Sequence, residues 1–600
     1  MFMFLKKSWN KNGRIFLSIV HGYSINGKTR HRTIKALGYL DELEKQYDDP
    51  IAHFKDVAKS MTDEYNASEQ IDLHITSNEN LISGKTYKKN LGYSFIKKIY
   101  NELNIGDFFQ RNQRKINAEY NLNSIFSLLV FNRILQPSSK KHAFETKDDF
   151  FENFDFSLED VYRALSFFND FSLDLQKHLN DQVENNYGRD KSLAYYDVTN
   201  YYFEVPYDDE DVVENGKIVK KGCRKKGPSK EHRPNPIRQM GLLMDSRNFP
   251  MTFNTFSGGE SEKQSLLPTI RRVKKDFDIQ RIVTVADRGL NTSDNTYFMA
   301  GKNDESCKHN DGYVYGQSVL GADKEFKEFV LDPADYISES KIDKHNKPYS
   351  FKSKSRVFAK KITVKDENGK RRLTDVTYQK QVVYWSSKYA AKQKKERDLV
   401  IAKAKDLIAN PRKYNRATSV GAAGYINNIK FVKDTGEIPD GLQLSLKLDK
   451  ISEEEKYDGY YSIVTSELNL SDGEIIKIYS GLWEIEESFR IIKSEFKARP
   501  VYVSTEQHID AHFLICFVSL LIFRILEYKL ENKFTTKKIR DSLLNLECYY
   551  FRENYFLLNF RNDVIEEMEK VFNVDFSKQL MKKSQIEKIL QKDKKDVSSQ

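Results

Sequence analysis

The chain is poor in cysteine and proline and has no long apolar run, and each shortage excludes something. Its four cysteines, Cys223, Cys307, Cys516 and Cys548, have no close spacing, so neither a zinc site nor a disulfide framework is suggested and a reducing cytoplasm fits. With only 13 prolines, 39% hydrophobic and 13% aromatic residues, the chain can bury real cores rather than stay disordered. The most apolar run, residues 513–522, continues into Arg524 and Glu527. It is too short to span a bilayer and reads as a buried core helix, so no membrane partner is expected. The opening MFMFLKKSWNKNGR lacks the charged-then-apolar order of a secretory signal.

Acid is also missing locally. Residues 1–40 hold eight Lys or Arg and no Asp or Glu, and residues 217–238 hold nine basic residues against one acid, Glu231. The net charge of +10 is modest for 600 residues, so this distribution says more than the total. Both segments suit phosphate contacts, the second through Lys221, Arg224, Lys225, Lys226 and Arg233. The alternative is a solvated basic surface.

A chain of 600 residues exceeds one hydrophobic core, so several units are expected. Residues 14–40 alternate apolar and polar around Asn26-Gly27, a tight-turn dipeptide, which predicts a basic N-terminal β-hairpin arm over 1–41. The pattern is helical over 42–186, with Phe95, Ile96, Ile99 and Leu103 on one face. Strand signals follow at 193–199, 240–245, 250–256, 281–286 and 313–320, with helix-like stretches at 260–277 and 291–300. They predict the first part of an α/β core over 187–323, with five strands. Residues 324–455 are Lys-rich, with short alternating runs and a helix near 388–409, and read as a β-rich insertion. The core resumes over 456–531, and a helical tail occupies 532–600.

Asp197 ends the first apolar strand, inside YYDVTNYYFE, and Asp287 follows IVTVA directly, before Arg288-Gly289. A lone aspartate after a strand is as readily a cap or turn residue, so the case depends on a third acid. Residues 474–497 lack proline and open on Ser471-x-x-Glu474, a capping box, which predicts one long helix. Ile478, Leu482, Ile485, Phe489 and Ile492 form its buried stripe. One residue on from each lie Tyr479, Trp483, Glu486, Arg490 and Lys493, roughly 100° around. An exposed face with a Glu486–Arg490 ion pair would explain that line only in part, because Tyr and Trp are wasted in solvent. A carboxylate beside a phosphate-gripping surface explains all of it. Asp197, Asp287 and Glu486 are therefore the candidate catalytic and metal-binding residues. Hard cations such as Mg²⁺ (or Mn²⁺) take oxygen ligands, and two ions per site serve the attacking and leaving oxygens of a phosphodiester. His508 and His512 read as satisfied polar groups near a core helix.

These residues resemble bacterial insertion-sequence transposases of the cut-and-paste DDE class that carry the Tyr-Arg-Glu-Lys signature. In it Tyr is followed by two residues, Arg, three residues, Glu, six residues and Lys. Tyr479, Glu486 and Lys493 match in identity and spacing, while the signature Arg falls on Leu482. The blocks around Asp197 and Asp287 are similar to the family's first two acidic motifs, and Glu486 lies 199 residues beyond Asp287. The resemblance covers most of the chain. It implies an RNase H-like mixed five-stranded sheet with flanking helices, interrupted by the insertion, and a helical DNA-binding region over 42–186. It also implies recognition of terminal inverted repeats, metal-dependent DNA cleavage and strand transfer, and a cytoplasmic bacterial setting. The partners it implies are double-stranded DNA, as transposon end and target, and a second copy in a synaptic homodimer, with the C-terminal tail as a dimerisation element. Tyr479, Trp483 and Lys493 would hold DNA phosphates, with Arg490 or Arg288 in place of the missing Arg. Trp385 of the insertion would stack a flipped base. A DNA-binding regulator with a decayed core and an RNase H-like nuclease without strand transfer remain alternatives.

Overall fold

Apolar alternation near the N-terminus produces three strands: β1 (Met3–Trp9), β2 (Ile15–Ile25) and β3 (Lys28–Tyr39), antiparallel in that order. Leu17 and Ile19, two apart on β2, share a face and are fully buried, with Phe54 and Ala58 of helix Pro50–Ala67 in the same small cores. A three-stranded sheet keeps an apolar face until something covers it. The compact unit accordingly runs over Met1–Lys85 instead of ending at residue 41, and the expected arm is a covered sheet. Asn26-Gly27 lie outside the described residues, but Ile25 pairs with Lys28 across them. Arg30, Arg32 and Lys35 are exposed on β3.

The computed structural model describes residues 3–10, 12–25, 28–67, 87–227, 235–277, 279–300, 311–343, 345–365, 371–432, 435–552 and 554–591. The second unit, Thr86–Gln600, is built around helix Glu506–Lys529, which is long and apolar enough to cross a membrane by length and composition. The expected short apolar run is thus part of a longer helix. Its apolar residues from Ile509 to Leu526 are buried within the fold among Phe126, Leu165 and Phe168 of the N-terminal helices. The tail after residue 532 is not purely helical. Glu547–Tyr550 pairs with Tyr555–Leu558 and with Lys88–Asn90, and Val564, Ile565 and Met568 of helix Asp563–Phe572 are buried in the same large core. That apolar face is used within the chain.

The five expected strands form as β4 (Leu193–Tyr202), β5 (Ile237–Asp245), β6 (Pro250–Ser257), β7 (Val283–Ala286) and β8 (Gly312–Gln317). β4, β5 and β6 form an antiparallel meander, and β7 and β8 add on the other side of β4, parallel to it. Four more strands continue the sheet: β9 (Ile337–Ile342), β10 (Pro348–Lys365), β11 (Arg371–Ser386) and β12 (Tyr460–Thr465). The order is β9-β10-β11-β12-β8-β7-β4-β5-β6. The sheet therefore has nine strands where five were expected, because β12 pairs with β8 and the insertion's hairpin pairs with β12. The insertion is a lateral extension of the core sheet. One face of that sheet, with Tyr195, Val285 and Val314, lies against the core that includes helix Glu506–Lys529. The other, with Tyr196, Val198 and Ala286, is covered by helices Leu266–Asp276 and Ser293–Met299.

Candidate active site

Register places the two aspartates. β7 runs parallel to β4 with Val283 opposite Leu193 and Val285 opposite Tyr195. That is the last pair: Asp197 lies two residues further along β4, and Asp287 two residues further along the other chain segment, just past the end of β7. Side chains alternate along a strand, and Tyr195 and Val285 face the larger core. Asp197, two residues from Tyr195 within β4, shares that face. Asp287 is a cap as well: its carboxylate accepts the Gly289 N–H at 2.8 Å and opens the turn Arg288–Leu290. Asp197 accepts its neighbour Val198 N–H at 2.7 Å. A capping bond of this kind leaves the carboxylate's charge in place.

The segment bearing Glu486 crosses the same face, but it is not one helix. Helix Asp472–Ser480 starts on the expected capping box, Ser471 with Glu474. It tightens at Gly481-Leu482 through bonds from Leu482 N–H to Tyr479 O and from Glu484 N–H to Gly481 O, both 3.1 Å, and resumes as Trp483–Arg490. A π turn, Ile491–Glu495, ends it. The break has a local cause. The Tyr195 hydroxyl donates to Ile478 O at 3.1 Å, and a Cβ on Gly481 would lie 2.4 Å from that hydroxyl. Only glycine lets the helix sit this low on β4. The apolar stripe survives the break, with Leu482, Ile485, Phe489 and Ile492 all buried.

Tyr479 ties the helix to the second aspartate. Its hydroxyl lies over Gly316 of β8, where an added Cβ would come within 2.4 Å of it and 3.1 Å of the Arg288 amide nitrogen. Burial, then the negative fields of Asp287 and Glu486, push the Tyr479 hydroxyl up to about 12. One side chain therefore senses both carboxylates. Gly316→Ala is expected to displace Tyr479 and cut DNA cleavage by at least about tenfold, the scale of a misplaced catalytic group, with the far-ultraviolet circular dichroism unchanged. Glu486 itself is exposed and makes no hydrogen bond or ion pair among the described residues. The alternative Glu486–Arg490 pair does not form: Arg490 Nε donates to Glu487 at 2.7 Å.

The remaining candidates divide. Lys493, in the π turn, holds its ammonium 5.6 Å from the ring centre of Tyr201, which shares β4 and its face with Asp197. Arg288 is exposed beside Tyr479 and faces a cleft of about 330 Å³ also lined by Gln317 and Tyr461. Trp483 is 58% exposed and lines another cleft with Arg490, Glu487 and Arg524. Leu482 points into the core, so its position offers no phosphate contact.

Trp385 is not brought to the site. It pairs with Tyr460 on β12, next to Tyr384 paired with Tyr461. Tyr384 packs into the larger core, so alternation turns Trp385 to the opposite face. There its indole N–H donates to Asp458 O at 2.9 Å. Trp385→Phe is expected to cost about 1 kcal/mol of stability for that bond and leave the rate of DNA cleavage unchanged. The site-side aromatics, which the sequence did not single out, are Tyr384, Tyr461 and Tyr389. Tyr384 and Tyr461 are stacked with centroids 5.6 Å apart, and Tyr389 lies 5.1 Å from Tyr461. Their signal was the strand alternation itself, one residue out of step with Trp385.

The basic loop is also less available than its count implied. Arg224 forms a bidentate pair with Asp209, Lys225 reaches Asp211 at 2.9 Å, and the Lys226 N–H donates to Asp208. The acidic run at 208–211, just before the basic one, engages Arg224 and Lys225. Lys221 and Lys226 keep exposed side chains, and Arg233 lies outside the described residues.

The donor set is all oxygen, Asp197 on β4, Asp287 just past β7 and Glu486 on the helix above, and oxygen donors suit Mg²⁺ or Mn²⁺. As arranged, no three such groups among the described residues lie close enough together to enclose a cation.

Residues 5–71 match the IS1634 family transposase, N-terminal domain. No curated protein matches the chain. Among solved structures it is similar to a Mos1 transposase paired-end complex with the left transposon end, at 9% identity and a TM-score of 0.11, covering 42% of this chain and 64% of that one. A pre-cleavage Mos1 transpososome is similar at 8% identity and a TM-score of 0.10, covering 38% and 60%. The chain thus spans under two thirds of those proteins, and scores this low transfer no residue roles.

Proposed function

We propose that this chain, whose N-terminal region is similar to that of IS1634 family transposases, is a DNA transposase of the cut-and-paste DDE class. Strands β4 to β8 are read as its RNase H-like core, and Asp197, Asp287 and Glu486 as its catalytic carboxylates. The observation that supports this is Tyr479, whose buried hydroxyl takes the negative fields of both Asp287 and Glu486, beside a β7 that is paired to β4 up to two residues short of both aspartates. Mg²⁺ or Mn²⁺, held there as two ions by those three residues, would supply Lewis-acid activation of the attacking water or 3′-hydroxyl and charge stabilisation at the leaving oxygen. The protein's own part is to hold Asp197 within β4, Asp287 just past β7 and Glu486 on its helix, and to place the phosphodiester beside them.

DNA is positioned by Lys493 and Tyr479, with Arg288 rather than Arg490 as the stand-in for the arginine absent at Leu482. Arg288 adjoins Asp287 and its charge acts on the Tyr479 hydroxyl, whereas Arg490 is engaged by Glu487. Arg288→Ala is expected to lower cleavage about tenfold or more, the scale of one charge-assisted phosphate contact, and Arg490→Ala to change it less than about twofold. Equal losses from the two substitutions in a single-turnover cleavage assay would overturn that choice. Exposed Arg30, Arg32 and Lys35 on β3 would add backbone contacts to terminal inverted repeats, and two copies would pair the ends in a synaptic homodimer. A strand-joining assay with 3′-hydroxyl ends tests the whole reading: cleavage without joining would leave a nuclease.

A further inference from the structure

Next to the site lies a basic pocket that the reaction does not use. It has a volume of about 370 Å³ and is lined by Arg133, Lys140, Lys497, Arg499 and His512, with no carboxylate among its lining residues. It sits beyond the end of β4, where the Val501 N–H bonds to Tyr202 O at 3.4 Å, five residues along that strand from Asp197.

Three of its polar side chains are built in, not incidental. Arg133, Lys140 and His512 are more than nine-tenths buried. Arg133 donates to Phe496 O at 3.0 Å and Ser138 O at 3.2 Å, and its Nε has no partner among the described residues. His512 Nε2 lies 3.0 Å from Ala498 O, so it carries the proton, and Nδ1 accepts from the Lys140 ammonium at 2.7 Å. Burial and the neighbouring Arg133 charge push Lys140 down to about 7. Buried cations without a counter-charge are costly, and a bound anion relieves that cost. At the mouth, Lys497 has φ +44°, a left-handed conformation that ordinarily selects glycine at a helix end. A lysine there gives up backbone stability that glycine would retain.

We infer that this pocket seats a backbone phosphodiester of the DNA strand running past the carboxylate site. The inference rests on the DNA-transposase reading and adds a residue set to it. A phosphate monoanion on Lys140, Arg133 and Lys497 would set the distance between the held phosphate and the one being cut.

The test is binding of a short duplex of arbitrary sequence, followed by fluorescence anisotropy as a function of salt. Lys497→Gly is expected to weaken binding about fivefold near ~0.15 M salt and reduce the slope of log K against log salt by about 0.9, the signature of one lost phosphate contact. Its melting temperature should hold or rise, because glycine relieves the positive φ. Lys140→Met should show the same loss. Wild-type affinity and slope in both variants would overturn the inference and leave the transposase reading standing. So would inorganic phosphate raising the melting temperature of wild type but not of Lys140→Met while DNA binding stays unchanged, since that marks a site for free anion. Failure of wild type to bind duplex at all would instead remove the transposase reading.

Discussion

Asp197→Asn is expected to lower DNA cleavage by at least about 10³-fold while changing DNA affinity less than about twofold, since metal-assisted charge stabilisation is worth several kcal/mol. The substitution is nearly isosteric, and Asn keeps the oxygen that accepts the Val198 N–H. β4 is paired on both sides, with Ala194 to Tyr202 against β5 and Leu193 to Tyr195 against β7, so the fold should not register the change. What is lost is one negative charge of the proposed carboxylate set. Cleavage and binding are measured on the same DNA, in single turnover and at equilibrium. Unchanged cleavage would remove Asp197 from the chemistry, and a parallel loss of affinity would make it a binding residue.

The second large effect is on stability. Arg524 lies in the core helix and grips the segment that bears Glu486: its guanidinium donates to Ser488 Oγ at 2.7 Å and to Glu484 O at 3.2 Å. It is paired with Glu527 at 2.8 Å, and Glu527 also accepts from Thr536 at 2.6 Å. Both ions are more than nine-tenths buried. Arg524→Leu leaves the Glu527 carboxylate buried without its counter-ion and should cost about 3–5 kcal/mol, read as a lower urea midpoint. Adding Glu527→Gln should recover part of that loss, because the stranded charge and not the missing attraction dominates. Loss of less than about 1 kcal/mol in the single variant would show that the pair is solvated and not a structural anchor. Ser488 is two residues from Glu486, so the single variant should also lose cleavage beyond what the unfolded fraction explains.

Several of these elements were legible in the residues because their signals are local. The strands at β4 to β8 announce themselves by apolar runs, and the Ser471–Glu474 capping box marks a helix start where one exists. The stripe from Leu482 to Ile492 is buried as its spacing requires. What failed needed partners distant in sequence. The helix break at Gly481 is caused by Tyr195, far upstream, and a 3₁₀-like step leaves the apolar spacing almost undisturbed, so periodicity could not reveal it. The basic count at 217–238 ignored Asp209 and Asp211, which fold back on Arg224 and Lys225. Trp385 is one residue out of phase with the face that matters, and which face that is depends on β12, whose pairing with the hairpin is set by residues about 80 positions away. The pocket around Lys140 draws on three separate stretches of chain, none of which carries a spacing motif.

The unbroken pairing from β6 to β9 has a consequence for any attempt to remodel this protein. The stretch between the second and third carboxylates is not a detachable cassette. Its hairpin shields the flank of β12, and β12 in turn shields β8, beside the strand that ends at Asp287. Excising residues 337–386 would bare a row of unsatisfied amide and carbonyl groups along β12, the kind of open border that recruits strands from neighbouring molecules. A shortened enzyme of that design should precipitate rather than become a smaller, simpler cutter. Trimming is better tolerated at the tip joining β10 to β11, far along the hairpin from where it meets β12.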